Sequence, residues 1–392
     1  MEKHVFIVGS KGIPANYGGY ETFLEYLTQG QQDTTIKYHI ACKVTDKAAV
    51  KQKHFMHNNA DCFNVYVPNI GPAQAIYYDV AALNQAIRYV RRHRIEKPIF
   101  YILACRIGPF MRDVTRRVHA IGGVVYVNPD GHEWMRAKWS KPVRQYWKYS
   151  EGLMVKHADL LICDSKNIEK YIQTTYAQYQ PKTTFIAYGA DVQKSTLADD
   201  DPKLTAWFDQ FTLRANNYYL IVGRFVPENN YETMIREFMA SKSKKDLVII
   251  TNVEHNQFYD ALKTKTHFER DQRIKFVGTV YDQDLLSKIR ELAHGYLHGH
   301  SVGGTNPSLL EALASTKLNL LFDVGFNREV GEDSALYWSK EAGTLARLID
   351  ESDALSVNEI EQFDQKTTQR IAGAYSWSFI VGEYEKEFLE VN

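Results

Sequence analysis

The segment from His298 to Glu311 holds the densest set of residues able to bind an anion and a sugar hydroxyl. Gly303 and Gly304 let the backbone approach a ligand closely, Asn306 suits a helix cap and Pro307 suits the first helical turn. A helix starting there offers unpaired N–H groups to an anion, with Thr305 beside them. Glu311 follows Pro307 by one turn on the same face, where its carboxylate can accept hydroxyls from a ribose. The plainer alternative is a strand, a turn and a helix carrying a surface glutamate. His300 is a further candidate sugar contact.

Three other loops follow apolar runs. Arg224, in Val222-Gly223-Arg224, is the residue type that pairs bidentately with phosphate oxygens, although a lone arginine also serves as an ordinary salt bridge. The stretch Lys11 to Gly19 ends in Gly18-Gly19 but lacks G-x-G-x-x-G spacing, which argues against a dinucleotide oxidoreductase. A glycine loop opening a helix still fits a phosphate or a sugar. Asp130, His132 and Glu133 lie beside Trp134, and two carboxylates and an imidazole near an aromatic ring suit sugar recognition or shared acid–base work. Asp130 before Gly131 equally suits a structural turn cap. The triplet Asp199 to Asp201 has no strand before it and reads as solvated charge. No His/Cys cluster has metal-ligand spacing, so neither a metal nor another cofactor is expected.

These loops need elements to position them. Short β-branched runs alternate with stretches of helical period from end to end, the pattern of parallel sheets covered on both faces. The expected strands of the first half are 4–9, 36–42, 62–67, 98–103, 124–128, 159–163 and 183–187; those of the second are 218–222, 246–251, 273–277, 295–298 and 317–322. Tyr20, Phe23, Leu24 and Leu27 form the apolar stripe of the first helix. The expected division is a doubly wound first domain over 1–195, a polar, turn-rich linker over 196–216, a second doubly wound domain over 217–375, and a helix over 376–392. Ile380, Tyr384 and Phe388 give that last helix a stripe to lay back on the first domain.

Composition supports this frame. A chain of 392 residues suits two domains, and 44% hydrophobic with 24% charged residues is ordinary for a globular protein. No apolar run is long enough to span a bilayer, and the start reads as a strand and not a signal peptide, so the expected location is the cytoplasm. Cys42, Cys62, Cys105 and Cys163 lack paired spacing and read as reduced small hydrophobes. Net charge is zero, yet residues 85–150 hold 14 basic and 4 acidic residues with Trp134, Trp139 and Trp147 among them. That excess is a solvated helix face or a surface for anionic membrane; the acidic second half and the lack of any nucleic-acid motif argue against nucleic acid.

Taken in order, the four loops resemble those of retaining GT-B glycosyltransferases of family 4. The runs Ser10 to Phe23, Asn128 to Trp134, Val222 to Tyr231 and Gly303 to Glu311 are similar to those of bacterial beta-1,4-rhamnosyltransferases. The resemblance implies a GT-B fold and transfer of L-rhamnose from dTDP-rhamnose to the 4-hydroxyl of a hexose on undecaprenyl diphosphate. Ala104 to Phe110 and Ala137 to Ser140 look closest to the capsular branch with glucose as acceptor; the cell-wall branch, with N-acetylglucosamine, is the alternative.

The implied donor set is Gly18, Gly19, Arg224, Val280, Gly303, Gly304, Thr305, Asn306 and Glu311, with Arg224 on the diphosphate and Glu311 on the ribose as the second glutamate of E-x7-E. Asp130 and Arg224 are the implied catalytic pair, and His132, Glu133 and His300 the implied acceptor or sugar contacts. The chain departs from the family at Gly303, where the first glutamate is usual, and at Asn229, where a lysine is usual. Asp130 stands where many relatives place a histidine on the donor's 6-hydroxyl, a group that rhamnose lacks.

The implied mechanism is front-face attack, with the departing diphosphate taking the acceptor's proton. A lipid-linked acceptor further implies peripheral attachment to the inner face of the membrane, with Arg116, Arg117, Arg136, Lys138 and Trp139 facing it. Rival readings are a nucleotide-sugar 2-epimerase and an inactive nucleotide-sugar-binding scaffold.

Overall fold

The structure, a computed structural model, describes residues 2–15, 18–46, 52–136, 139–190, 194–253, 257–302 and 305–391. The chain forms two compact units: Met1–Gly189 with Trp377–Asn392, and Ala190–Ser376.

The first unit runs β1 (Lys3–Val8), α1 (Gly19–Gln29), β2 (Ile36–Val44), β3 (His54–His57), β4 (Ala60–Tyr66), α2 (Gln74–His93), β5 (Ile99–Leu103), α3 (Gly108–His119), β6 (Val124–Asn128), α4 (Lys141–His157), β7 (Leu160–Cys163), α5 (Lys166–Thr175) and β8 (Thr183–Phe185). Its sheet order is β3-β4-β2-β1-β5-β6-β7-β8, parallel except where β3 pairs with β4. The continuous apolar runs arise because both faces are covered: all five residues of β5 are at most 0% exposed. The winding reverses between β1 and β5, so the crevice lies at the loops that leave those two strands.

The closing helix, Trp377–Leu389, belongs to this first unit. Its stripe is sheathed: Ile380, Tyr384 and Phe388 are 0–2% exposed, and Phe388 packs near Tyr38, Tyr101 and Tyr126. Burying each such side chain contributes about 1.5–3 kcal/mol. Polar ties fix its register, with the backbone N–H groups of Gln32 and Asp33 donating to Glu385 at 2.8 and 2.9 Å.

The second unit contains α6 (Pro202–Phe211), β9 (Tyr218–Val222), α7 (Tyr231–Ala240), β10 (Asp246–Ile250), α8 (Gln257–Thr266), β11 (Ile274–Phe276), α9 (Gln283–Glu291), β12 (Gly295–His298), α10 (Pro307–Ser315), β13 (Asn319–Phe322), α11 (Gly325–Gly331), β14 (Leu336–Trp338), α12 (Thr344–Asp353) and α13 (Val357–Ala374). Its sheet is wholly parallel in the order β11-β10-β9-β12-β13-β14. Here the winding reverses between β9 and β12, which places the crevice at the loops that begin with Gly223 and Gly299.

Three features differ from the sequence expectation. The stretch 196–216 is not simply a linker: Asp201 caps α6 through Lys203 N–H, and Leu204, Trp207 and Leu213 join the core of the second unit. The strands β3 and β14 are additional; each is short and at a sheet edge.

Candidate functional site

In the second unit the two crevice loops are bound to each other. Both Ser301 N–H and Ser301 Oγ donate to the Glu228 carbonyl, at 3.1 and 2.6 Å, and Asn230 Nδ2 donates to the Gly299 carbonyl at 2.7 Å. Below them, Tyr296 Oη and Ser308 Oγ both donate to the Val222 carbonyl, at 3.0 and 3.1 Å. The exit of β9 is thereby fixed against the start of α10. Asn306 caps that helix, its Oδ1 accepting from Leu309 N–H at 3.3 Å, and Pro307 occupies the first turn. Thr305 is buried beside the cap. Gly303 and Gly304 lie outside the described residues.

Arg224 leaves this scaffold exposed, and no carboxylate among the described residues pairs with it. Its backbone is held instead: Asn229 Nδ2 donates to the Arg224 carbonyl at 2.8 Å, with Asn229 itself buried. An available guanidinium at the crevice that also holds a capped helix start suits an anion. Glu311 sits one turn into α10, where Arg290 Nη2 of α9 donates to its Oε2 at 2.6 Å. One carboxylate oxygen is thus anchored and Oε1 is open to a hydroxyl. Arg290 was not among the expected site residues; nothing local in the sequence links it to a glutamate 21 positions later. Val280, in the loop after β11, packs at the margin of the apolar cluster around Leu286 and Ile289.

The first unit gathers a polar cluster at its own crevice. Asp130 has φ +59°, a conformation stabilised by Asn128 Oδ1 accepting from Asp130 N–H and by Asp130 Oδ1 accepting from Gly131 N–H at 2.7 Å. The turn-cap role is therefore real, and it occupies one oxygen. Arg106, in the loop after β5, donates to Asp79 Oδ2 at 2.8 Å and to the Gly9 carbonyl at 2.6 Å. Burial opposes the Arg106 charge, yet Asp79, Tyr20 and Asp130 together hold its pKa above the ordinary value. Burial, followed by the charge of Asp130, pushes the Tyr20 hydroxyl well up. Arg106, Asp79 and Tyr20 are functional candidates that side-chain type alone did not reveal. Arg106 does lie within the Ala104 to Phe110 run that carries the resemblance.

Several expected contacts are placed elsewhere. Glu133 is not free for a sugar: Arg136 Nε pairs with its Oε2, and Trp139 Nε1 donates to Oε1 at 2.9 Å. His132 packs on the Tyr171 ring at 4.2 Å, in a cluster where Lys148 stands over Trp134, Tyr171 and Tyr176 and buried Glu151 accepts from both tyrosines. Burial lowers its pKa, so a neutral ring is favoured. The glycine loop also has carboxylates of its own, since Glu21 Oε1 accepts from Lys11 N–H at 2.6 Å and Glu25 Oε2 from Ala15 N–H at 2.9 Å. Gly18 has φ +136°, and a Cβ there would meet Glu21 Oε2 at 1.9 Å. The Gly19 carbonyl accepts from Tyr188 Oη.

The basic segment divides as well. Arg116 is 79% exposed and pairs with Asp113; Arg117 reaches Asn84 at 2.7 Å. Arg136 and Trp139 turn onto Glu133, which corrects their expected membrane-facing placement. Lys138 lies outside the described residues. Phe110, Met135 and Tyr149 are exposed apolar side chains of the same region. No helix among the described residues is long and apolar enough to cross a membrane.

A family model described as a domain of unknown function (DUF1972) matches residues 2–191. No curated protein sequence matches. Among solved structures, sucrose-phosphate synthase (tll1590) from Thermosynechococcus elongatus is similar over 100% of this chain and 99% of its own, with a TM-score of 0.75 and 14% identity. The structure titled trehalose-6-phosphate from E. coli bound with UDP-2-fluoro glucose covers 99% of each chain, with a TM-score of 0.72 and 12% identity. Anabaena Alr3699/HepE in complex with UDP and glucose covers 99% of this chain and 100% of its own, with a TM-score of 0.68 and 14% identity. At these identities the likeness establishes the fold, which is GT-B.

Proposed function

We propose that the protein is a retaining glycosyltransferase using a nucleoside diphosphate sugar, with dTDP-rhamnose as donor and the 4-hydroxyl of a hexose on undecaprenyl diphosphate as acceptor. Glucose is favoured over N-acetylglucosamine as that hexose, and capsular polysaccharide assembly at the inner face of the membrane is the setting. The observation that carries the donor reading is Arg224: an exposed guanidinium without a carboxylate partner among the described residues, at the crevice of the second unit and close to the capped start of α10. UDP and UDP-2-fluoro glucose, bound by structural neighbours, are ligands of the same chemical class. The choice of rhamnose rests on the sequence resemblance and on Asp130, which stands where a 6-hydroxyl ligand is usual.

The chemistry follows from where charge develops. The acceptor oxygen attacks the anomeric carbon as the bond to the diphosphate oxygen breaks, and the acceptor's proton passes to that departing oxygen. The carbon traverses an oxocarbenium-like state on the same face, so configuration is retained. Arg224 and the N–H groups at the start of α10 stabilise the charge growing on the diphosphate, which is the largest catalytic contribution expected of such donors. Glu311 Oε1 accepts the 3′-hydroxyl of the thymidine nucleotide. Asp130, through the carboxylate oxygen not used in its own turn, orients the sugar or the acceptor hydroxyl.

A second reading, a nucleotide-sugar-binding scaffold without turnover, is favoured by Asn229: its amide is spent on the Arg224 carbonyl where a lysine would supply a second cation. Incubation with dTDP-rhamnose and lipid-diphosphate glucose or N-acetylglucosamine separates these readings. Extension of the lipid-linked sugar supports the transferase. Donor binding without product supports the scaffold, and sugar epimerisation without an acceptor supports the 2-epimerase.

A further inference from the structure

Three rings stand in a row along β12 and its exit. Tyr296, His298 and His300 recur with the period of two that puts strand side chains on one face. The Tyr296 and His298 centroids are 6.0 Å apart with 29° between planes, and those of His298 and His300 are 4.4 Å apart with 11°. His298 is 1% exposed, and neither of its ring nitrogens has a hydrogen-bond partner among the described residues. A neutral imidazole carries one donor and one acceptor, and leaving both unmade in the interior is costly. A side chain kept at such a cost in the floor of a ligand crevice points to a role there.

The two histidines are not equivalent. Burial first, and then the charge of His300, push the His298 pKa well below the ordinary value, which favours the neutral ring. His300 stands at the crevice: its Cε1 lies 3.4 Å from where a Cβ on Gly223 would be, so the ring covers the backbone immediately before Arg224. Asn327 Nδ2 fixes its carbonyl at 3.2 Å. Beside the pair is a cavity with room for about one water, lined by Val222, Asn229, Tyr231 and both histidines. Among the described residues, the titratable and charged groups on the surrounding elements include Tyr231 at the start of α7, Tyr296 on β12, Arg224 and Glu228 after β9, and Arg328 and Glu329 on α11, the helix that reaches the His300 carbonyl.

We propose that His300 takes up a proton when a nucleoside diphosphate binds beside Arg224, and that His298 is the positioning residue on whose neutral ring the imidazolium stacks. This rests on the donor reading above. A diphosphate brings concentrated negative charge to an imidazole, which favours the charged ring. A flat neutral π-face below stabilises that cation without competing for the proton. Arg224 then supplies permanent charge and His300 supplies charge conditional on ligand.

Calorimetry of dTDP and UDP binding in buffers of different ionisation enthalpy, from pH 6.5 to 8.5, tests the pair by linkage. Wild type should take up roughly half to one proton per nucleotide at pH 7.5, and its affinity should fall about tenfold across that range. His300→Gln should bind more weakly with no uptake and a flat profile. His298→Phe keeps the flat ring and removes both unpartnered nitrogens, so it should fold at least as stably and retain the uptake. Binding by wild type without uptake, uptake persisting in His300→Gln, or loss of uptake in a folded His298→Phe would each overturn the proposal. Failure to bind either nucleotide would overturn the donor reading and this inference with it.

Discussion

The carboxylate of Glu311 is anchored by the guanidinium of Arg290, which is itself 4% exposed, with Nη2 2.6 Å from Oε2. Removing Glu311 therefore does two things: it takes away the proposed nucleotide contact and strands a buried charge. Glu311→Ala should weaken dTDP binding modestly and cost about 1–3 kcal/mol of stability, lowering the melting temperature by several degrees. Adding Arg290→Met should restore the melting temperature but not the affinity. Thermal denaturation and calorimetry on the two variants separate these effects; unchanged dTDP affinity in Glu311→Ala would remove Glu311 from the nucleotide site.

Arg224 presents the opposite case. Its side chain is exposed and without a carboxylate partner among the described residues, so Arg224→Ala should leave the melting temperature nearly unchanged. Turnover should fall by a factor of about a hundred or more, as when a preorganised oxyanion donor is lost. Near-normal turnover would place the diphosphate elsewhere.

The contrast between these two arginines shows what the sequence made legible. Arg224 follows an apolar strand at a crevice, and both facts follow from local pattern, as do the glycines, the Asn306 cap and most central strands. Arg290 sits on a helix at ordinary helical spacing, and only packing of α9 against α10 brings it to Glu311. The same holds for Asp79, which meets Arg106 from 27 positions away. The pairing of Glu133 with Arg136 and Trp139 is hidden for a related reason: residue type does not show which polar or amphipathic neighbours satisfy each other in the fold. Edge strands such as β3 escape because they lack the two-sided burial that writes an apolar run.

Buried neutral histidines give the stability a defined pH dependence. His298 and His294 have pKa values lowered chiefly by burial, so the unfolded chain binds more protons than the folded one below the ordinary histidine pKa. Their stabilising contribution is complete above about pH 6.5 and is lost progressively as pH falls below it, by about 1.4 kcal/mol per pH unit for each such group. Urea denaturation between pH 7.5 and 5.5 should show this loss, and His298→Phe should reduce the slope by up to one such increment. An unchanged slope would show that His298 is charged in the folded protein.

On the proposed mechanism turnover should persist in excess EDTA, because there Arg224 and the start of α10 meet the diphosphate charge that a divalent ion meets in other transferases. Loss of activity in EDTA, restored by Mg²⁺ or Mn²⁺, would count against this arrangement.

The proposed lipid-diphosphate acceptor would hold its sugar close to the bilayer, and on that reading the first unit should approach an anionic surface. The helices that would do so cross tightly: Gly108 N–H donates to Ser150 Oγ at 2.8 Å, and a Cβ on Gly108 would strike the Ser150 carbonyl at 2.3 Å. Phe110 at the start of α3 and Tyr149 on α4 are 46% and 61% exposed, and Arg112, Arg116 and Lys141 on the same two helices and Met135 just before α4 are exposed as well. Each basic residue near an anionic surface is worth about 1 kcal/mol, screened beyond a Debye length, although Arg116 gives up part of this to Asp113. Reversal of Arg112, Arg116 and Lys141 to Glu should therefore cut partitioning onto phosphatidylglycerol vesicles by roughly a hundredfold at low salt while leaving dTDP binding unchanged. Phe110→Ser with Tyr149→Ser should weaken the same partitioning with less dependence on salt, because insertion of apolar side chains is not screened. Wild-type protein that stays in the supernatant with such vesicles at low salt would show the basic segment to be an ordinary solvated face.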